Sequence, residues 1–289
     1  MNLQDKAPRE ASLMGDLIRQ FSKNKMAILG LSIVVLFVLV AIFAPLIAPY
    51  APEAQDLANR FLPPSAAHPF GTDNFGRDVF SNVVYGARIS LFVGIFATLI
   101  SLALGTFLGA ISGYYGGKLD NVIMRMVDIV LSIPSLVLAI AISAALGTGM
   151  WNLILAVSLT GITGYARLVR ASVLSAKERE YVEAARIGGA GDFRIILRHI
   201  LPNITGPIIV QATLGVGTAI LQGASLSFIG LGVQPPTPEW GNMLSQGRAF
   251  IRDYPHMTLF PGLAIALTIF SLNLLGDGLR DALDPKARR

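Results

Sequence analysis

The chain has 289 residues, of which 53% are hydrophobic and only 14% are charged, and its mean hydropathy is +0.60. This composition is typical of membrane proteins. The formal net charge is +5, but the basic residues are spread between apolar blocks, which argues against a nucleic-acid-binding surface. The chain contains no cysteine, so disulfides and cysteine-based metal or redox sites are excluded.

Six apolar runs are long enough to cross a bilayer, because a helix rises about 1.5 Å per residue and the hydrocarbon core is about 30 Å thick. The runs must be helical, since lipid offers no partner for an unpaired backbone N–H or C=O group. We expect Pro134 to kink the third of them. The predicted spans are 26–48, 89–112, 122–146, 151–168, 204–229 and 259–279.

The distribution of lysine and arginine predicts the orientation, because cytoplasmic loops retain basic residues. Of the 23 Lys and Arg residues, 18 fall in segments on one side of the predicted spans and 5 on the other. Both termini are therefore predicted to be cytoplasmic. The predicted organisation is a cytoplasmic tail (1–25), a first transmembrane helix (26–48), a periplasmic loop (49–88), a five-helix core (89–280) and a cytoplasmic tail (281–289).

The N-terminal tail has a pattern of its own. Leu13, Leu17, Ile18 and Phe21 fall on one helical face between charged residues, as in a helix that lies on the membrane surface. A mobile tail is an equally good interpretation. The first span is longer than the apolar core of a signal peptide and follows a polar tail, so we interpret it as retained.

The cytoplasmic segment 171–202 between the fourth and fifth spans is too polar to cross the membrane and too regular to be a slack linker. Helix-forming residues predict a short helix over 176–187, and the glycines of 188–191 end it. We expect Asp192 to cap a second helix that ends at Pro202. In this second helix an apolar stripe of three- and four-residue spacing is predicted to face protein or membrane. The stripe consists of Phe193, Ile196, Leu197 and Ile200.

The first of these two short helices is a candidate docking surface. Ala184 and Ala185 would let another protein approach the backbone closely, and Glu183 would supply an acceptor. A surface helix that is simply stopped by glycines explains the same residues equally well.

Three stretches and the segment 171–202 together resemble one family. Glu183-Ala184-Ala185, Gly189 and Leu201-Pro202 resemble the EAA loop of permease subunits of bacterial ABC importers. The family commonly has isoleucine where this chain has His199. The stretches 68–91, 227–244 and 276–286 are similar to the dipeptide, oligopeptide and nickel permeases, and the similarity covers nearly the whole chain.

The resemblance implies an all-α membrane protein with six transmembrane helices, cytoplasmic N and C termini and the architecture of a type I ABC importer permease. It implies that the EAA loop docks in a groove of a separate ATPase, which turns ATP-driven closure into movement of the membrane helices. The expected partners are a second homologous permease subunit, two ABC ATPase subunits and a periplasmic substrate-binding protein. The residues assigned to this coupling are Tyr181, Glu183, Ala184, Ala185, Arg186 and Gly189.

The chain itself is predicted to be non-catalytic. Hydrolysis of ATP would need a phosphate-binding GxxxxGK[ST] loop, which the sequence does not contain. It shows no metal-ligand spacing either, and its three histidines lie in separate segments, where a structural role is expected. We therefore expect no cofactor in this chain, with ATP and Mg²⁺ bound by the partner ATPases.

The outer segments contain a second group of candidates. Asp73, Arg77 and Asp78 are expected to pair with each other in a compact folded loop, with contact to the substrate-binding protein as the alternative. Trp240 follows a proline-rich stretch and suits the membrane interface, as a gate segment or as an ordinary anchored loop.

Candidates for the path are polar residues within the spans, because charges there are costly. They are Gln222 and Ser225 in the fifth span and Asn273 in the sixth. Asp128, near the inner end of the third span, is expected to pair with Arg125.

Gly105, Gly109 and Gly113 recur every fourth residue and predict a smooth ridge on the second span, where another helix packs. One docking loop and one such set of helices describe half of a pore.

Two other functions fit parts of the pattern. A secondary transporter would more naturally show internal repeats and acidic residues at mid-membrane, and neither is detected. A membrane scaffold fits the spans but leaves the three family-like stretches unexplained. Within the family, dipeptides, longer peptides, nickel and other small solutes all remain open as substrates.

Overall fold

The computed structural model of the protein describes residues 13–283. The spans are helical, as the sequence predicts. The helices are α1 Leu13–Lys23, α2 Lys25–Ile42, α3 Ala44–Ile47, α4 Val79–Tyr115, α5 Gly117–Leu131, α6 Ser135–Leu146, α7 Met150–Ala176, α8 Glu180–Ile187, α9 Asp192–Arg194, α10 Thr205–Phe228, α11 Trp240–Gly247 and α12 His256–Leu283.

Among the described residues, five helical stretches are long and apolar enough to cross a bilayer, and a bent pair makes a sixth. The pair is α5 and α6, which meet at an angle of 89°. The third predicted span, 122–146, is therefore not one continuous helix but two helices joined at a break. Pro134 has no N–H to donate and stands at the break, so the expected kink is confirmed and is much sharper than an ordinary proline kink.

Among the described helices, α4 and α7 form the most extensive packing contact, along the predicted glycine ridge. A Cβ atom added to Gly109 would lie 2.5 Å from the Ala166 carbonyl oxygen and 2.9 Å from the Arg170 nitrogen. Gly105 and Gly113 meet the same helix at similar distances. The two backbones are thus in contact, which only glycine permits, and the predicted packing role of the ridge is confirmed.

The two ends of the bundle differ. We call the end that carries residues 176–204 the inner end and the end that carries residues 49–78 the outer end, in line with the orientation that the basic residues predict. At the inner end α1 packs against α12, and the Asn24 side chain, which caps α2, donates to the Asp281 carboxylate at 3.3 Å. The predicted helix in the N-terminal tail is confirmed over α1, whereas the side chains of Leu13, Leu17 and Ile18 lie outside the described part.

The outer segment folds back on α4 and α12. Thr72 is fully buried; its hydroxyl donates to the Asn59 carbonyl at 2.6 Å and accepts from the Leu62 N–H at 2.8 Å. Asp78 caps α4 by accepting from the Ser81 N–H at 2.7 Å. The helix therefore begins at Val79, ten residues before the predicted span, because a capping residue and not the edge of the hydrocarbon sets its start.

Candidate coupling surface and transport path

The segment between α7 and α10 is built onto the membrane helices by one apolar cluster. Val182 of α8 is buried in it together with Val169 and Val173 of α7 and Tyr114 of α4. The helix α7 continues to Ala176, so the first short helix of the loop begins at Glu180 and not at the predicted residue 176. The segment is therefore a folded part of the bundle, which can transmit force to the spans.

The helix α8 turns one face inward and one face outward. Ala185 packs partly against the apolar cluster, whereas Glu183 and Ala184 are exposed. Ile187, at the end of the outward face, is 82% exposed. An exposed apolar residue beside a small residue and a carboxylate forms a surface suited to a protein partner.

Two further residues assigned to coupling flank this face. Tyr181 is exposed at the start of α8. Arg186 is exposed as well, and its guanidinium lies 6.0 Å from the centroid of the Tyr114 ring. The loop thus presents Tyr181 outward, while Arg186 reaches back to the end of α4.

Gly189 sets the turn after α8. Its φ is +80°, a left-handed conformation that other residues adopt at a cost, and a Cβ atom there would meet nothing within 4 Å. Gly188, by contrast, has an ordinary φ of −70°. The requirement for glycine at position 189 is therefore conformational, and the turn fixes where α9 starts relative to α8.

The second half of the loop departs from the predicted α-helical stripe. Residues Ile195–Ile200 form a π-helical turn, in which residues five apart share a face. Ile195 and Ile200 are fully buried and Ile196 is nearly so, whereas Leu197 and Phe193 are exposed, Phe193 to 75%. Phe193 and Leu197, which the stripe predicted to face protein or membrane, do not pack against the rest of this chain, because the wider turn changes the periodicity.

The predicted capping role of Asp192 is also wrong. Gly191 is the capping residue of α9, and no side chain caps it. The Asp192 carboxylate instead accepts a hydrogen bond of 2.7 Å from the Tyr114 hydroxyl at the end of α4. Sequence reasoning passed over Tyr114, although a tyrosine pair followed by a glycine pair at the inner end of a span was visible.

A cleft of about 670 Å³ opens between α6, α10, α11 and α12. Ser225 of α10 and Asn273 of α12, two of the three predicted path residues, lie in its wall among mostly apolar side chains. The third, Gln222, does not line this cleft; its side-chain carbonyl accepts from the Thr160 hydroxyl of α7 at 3.4 Å. The structure thus groups Ser225 with Asn273 and separates Gln222 from them.

Asp128 does not pair with Arg125, contrary to the expectation. Its carboxylate accepts from Arg167 of α7 at 2.6 Å. Arg125 is exposed. The helix α5 packs against α7, which brings the arginine of a different helix closer than the neighbour in sequence.

The four outer candidates lie in two places. The Arg77 guanidinium pairs with the Asp73 carboxylate at 2.6 Å, which confirms this pair of the predicted self-paired turn. Arg77 also donates to the Gln246 side chain of α11 at 2.5 Å. Asp78, besides capping α4, lies 3.0 Å from Nδ1 of His68. These side chains are buried or nearly so and hold the outer segment to the bundle.

Trp240 is wholly buried within the chain, so its ring does not face lipid. Its indole N–H donates to the Val83 carbonyl of α4 at 2.9 Å, and Phe37 of α2 packs edge-on against the ring. A Cβ atom on Gly86 would lie 2.9 Å from the ring, so α4 and the tryptophan are in close contact. The side chain fixes α11 to α4 and α2.

Glu239 is a buried acid that sequence reasoning did not single out. Its carboxylate caps α11 by accepting from the Gly241 and Asn242 N–H groups, and the Ser90 hydroxyl of α4 donates to it at 3.3 Å. Burial raises the pKa of this carboxyl above its ordinary value, although the backbone donors act in the opposite direction. A glutamate directly before a tryptophan at a predicted loop end was the available signal.

Metal chemistry has no support in the part of the chain that the structure describes, where no group of three potential ligands forms. The side chains of His68 and His256 contact other protein groups. His68 meets Asp78, and Nε2 of His256 lies 3.0 Å from the Thr72 carbonyl oxygen.

The arrangement of the helices is that of a multi-pass membrane permease. An inward-facing structure of the MetNI methionine ABC transporter contains a chain with the same fold, with a TM-score of 0.60 and 18% identity over 71% of this chain and 97% of that chain. At this identity the likeness concerns the fold, which is that of a type I ABC importer permease.

The family follows from the sequence comparisons. Residues 105–289 match the family of binding-protein-dependent transport system inner membrane components, and residues 12–64 match the N-terminal transmembrane domain of oligopeptide transport permease C. The chain therefore belongs to the inner-membrane permeases of ABC importers, in the oligopeptide and dipeptide permease C group. It is a non-catalytic, multi-pass component of a binding-protein-dependent transporter.

Two relatives show the range within this group. The dipeptide transport system permease protein DppC of Alkalihalophilus pseudofirmus is 52% identical over 273 residues, which cover 94% of this chain and 90% of the relative. The glutathione transport system permease protein GsiD of Escherichia coli O6:K15:H31 is 50% identical over 271 residues, which cover 93% of this chain and 89% of the relative. The importer is therefore of the peptide and glutathione type.

Proposed function

We propose that this chain forms half of the path of an importer for short peptides and is moved by a separate ATPase that docks on the segment 171–202. The observation that carries the proposal is the outward face of α8. Glu183, Ala184 and Ile187 are exposed, while Val182 on the opposite face is buried among residues of α4 and α7. A push on this face reaches two membrane helices directly.

The partners follow from the same arrangement. ATP and Mg²⁺ are bound by the ATPase subunits, two per transporter, and this chain has no cofactor of its own. A second homologous permease covers the cleft that holds Ser225 and Asn273, because a single chain supplies only one wall of a path. A periplasmic substrate-binding protein delivers the peptide at the outer end.

The assignment to peptides rests on the names of the two relatives, one a dipeptide and the other a glutathione permease. Both substrates are short peptides, with at least one free carboxylate and one or two amide bonds. The path residues in this chain are neutral, which suits a solute that carries charges of both signs. Selection among such peptides is made mainly by the substrate-binding protein.

The turn at Gly189 offers a sharp test of the docking loop. Gly189→Ala forces a side chain into a left-handed conformation, at a cost of about 1 kcal/mol, and displaces α9 relative to α8. We expect uptake by the reconstituted transporter to fall strongly while membrane insertion is unchanged. Gly188→Ala is the matched control, because φ at Gly188 is an ordinary −70°.

A second variant tests the contact itself. Glu183→Ala removes the exposed carboxylate without disturbing the buried side of α8, so we expect uptake and copurification of the ATPase to fall together. Glu178→Gln, which changes an exposed acid outside α8, is expected to have little effect. Normal uptake in both Gly189→Ala and Glu183→Ala would exclude the docking role of this loop.

The substrate is identified by measuring ligand binding to the cognate substrate-binding protein. We expect di- or tripeptides to bind and to stimulate ATP hydrolysis by the reconstituted complex. Binding of a nickel chelate instead, without peptide binding, would rule out the proposed substrate class.

A further inference from the structure

The inner end of α4 is connected to the docking loop by one side chain in particular. Tyr114 is the penultimate residue of α4, and its ring belongs to the apolar cluster that supports α8. Its hydroxyl donates a hydrogen bond to the Asp192 carboxylate at 2.7 Å. Asp192 is the first residue of α9, so this bond connects a membrane helix to the far half of the loop.

The near half of the loop contacts the same tyrosine. The guanidinium of Arg186, in the last turn of α8, lies 6.0 Å from the centroid of the Tyr114 ring, within the range of a cation–π interaction. Tyr114 therefore lies between the two arms of the loop. Arg186 of α8 lies near its ring and also interacts with its hydroxyl, and Asp192 of α9 accepts a hydrogen bond from the same hydroxyl. The turn at Gly189 lies between these arms, so a displacement of either arm acts on the same side chain.

A third bond fixes the neighbouring backbone. The ammonium group of Lys177, directly after α7, donates to the Gly113 carbonyl of α4 at 3.0 Å. This bond involves a carbonyl in the last turn of α4, where a cation is favoured. The ends of α4 and α7 are thus held together, and the Tyr114 bond extends this connection to α9.

We propose that Tyr114 is a positioning residue of the transport cycle, whose hydroxyl transmits displacement of the docking loop to α4. This inference rests on the proposed function, because it takes the ATPase to dock on α8. The apolar cluster holds the loop against the membrane helices through contacts that have little directional preference. The directed bond from Tyr114 to Asp192 fixes the angle between loop and helix.

The direct test is Tyr114→Phe in the complete reconstituted transporter, with both permeases, the ATPases and the substrate-binding protein. The ring stays in the apolar cluster, so ATPase copurification and ATP hydrolysis are expected to stay near the wild-type values. Substrate transported per ATP hydrolysed is expected to fall about fivefold or more, the usual range of a coupling between sites.

The neighbouring residue provides the control. Tyr115 is 54% exposed and its ring lies edge-on to that of Tyr114, so Tyr115→Phe removes a hydroxyl at nearly the same place without touching the bond to Asp192. Its transport per ATP should equal that of the wild type. An equal loss in both variants would overturn the inference.

Substitution of the acceptor supplies a second, independent measurement. Asp192→Ala should also reduce transport per ATP, and the double variant should be no worse than Tyr114→Phe alone, because Tyr114→Phe already removes the bond to Asp192. Asp192→Asn keeps an acceptor oxygen and should restore most of the transport. Additive losses in the double variant would overturn the inference.

The outcomes separate this inference from the proposed function. If Glu183→Ala and Gly189→Ala abolish coupling while Tyr114→Phe and Asp192→Ala transport normally per ATP, the loop docks but Tyr114 does not transmit its movement. If all four variants transport normally, the proposed function itself is wrong. Loss of ATPase copurification in Tyr114→Phe would assign the tyrosine to docking and overturn its role in transmission.

Discussion

The Arg170 guanidinium meets the Asp120 carboxylate with two hydrogen bonds, each 2.6 Å long. Arg170 lies in α7 and Asp120 in α5, and the Ser112 hydroxyl of α4 donates to the same carboxylate. Asp120 is buried, and its contacts with Arg170 and Ser112 join α5 to α7 and α4.

Arg170→Lys should destabilise the protein although it preserves the charge. A lysine ammonium cannot form the two parallel bonds that the guanidinium makes. We expect the free energy of unfolding to fall by about 2 kcal/mol, the contribution of a hydrogen bond to a charged group. Thermal unfolding of the purified permease in detergent measures the loss.

Arg167→Lys is the control, because its single bond to Asp128 joins half-exposed side chains and is expected to contribute less than about 1 kcal/mol. Equal losses would contradict the assignment.

Gly109→Ala should separate α4 from α7. The added methyl group would lie 2.5 Å from a backbone oxygen of α7, which cannot turn aside as a side chain can. We expect a loss of about 1–3 kcal/mol and a lower yield of folded permease from membranes. Gly164→Ala in α7 is the matched control, since a Cβ atom there meets nothing within 4 Å. A normal yield of Gly109→Ala would show that the two helices can move apart freely.

Thr72→Val should loosen the outer segment. Valine has nearly the shape of threonine but leaves the Leu62 N–H and the Asn59 carbonyl without the hydroxyl as their partner in a partly buried position. We expect a loss of about 1–3 kcal/mol and faster proteolysis of residues 49–78. Thr72→Ser keeps both bonds and should resist the protease. Cleavage of both variants at the same rate would mean that packing, and not the hydroxyl, holds this segment.

Glu239 should make stability depend on pH. Burial raises the pKa of its carboxyl in the folded protein, so the folded state binds a proton more tightly than the unfolded state does. Stability from this group is present below the ordinary glutamate pKa of about 4.5 and is lost as pH rises through the raised value. Glu239→Gln cannot titrate, so its melting temperature should fall less than that of the wild type as pH increases from about 4.5. Parallel pH profiles would exclude this contribution.

Much of the helical architecture was predictable, because lipid leaves a chain so few choices. The glycine spacing located the contact of α4 with α7 before any geometry was known, and Pro134 located the break in the third span. The angle of 89° between α5 and α6 was not predictable, since it depends on how each of the two helices packs against the rest of the bundle. For the same reason Asp128 pairs with Arg167 on another helix and not with Arg125.

The sequence predicted a folded segment of short helices between α7 and α10, as the structure has it, but the orientation of that segment was predicted only in part. A three- and four-residue period describes an α-helix, whereas a π-helical turn brings Ile195 and Ile200 onto one face and leaves Phe193 exposed. Nothing in the local sequence specifies the wider turn. Trp240 shows the opposite case, in which a residue typical of membrane interfaces is buried because Gly86 leaves room for its ring.

The length of α4 sets the distance between the two surfaces of the transporter. Its 37 residues extend about 55 Å, whereas the hydrocarbon core is about 30 Å thick, so the helix projects beyond the core. Asp78 fixes its outer end to the folded segment, and Tyr114 lies at its inner end. A thicker or thinner bilayer therefore shifts the water boundary along α4. It leaves the distance between the outer segment and the segment that follows α7 unchanged, because this one helix sets that distance.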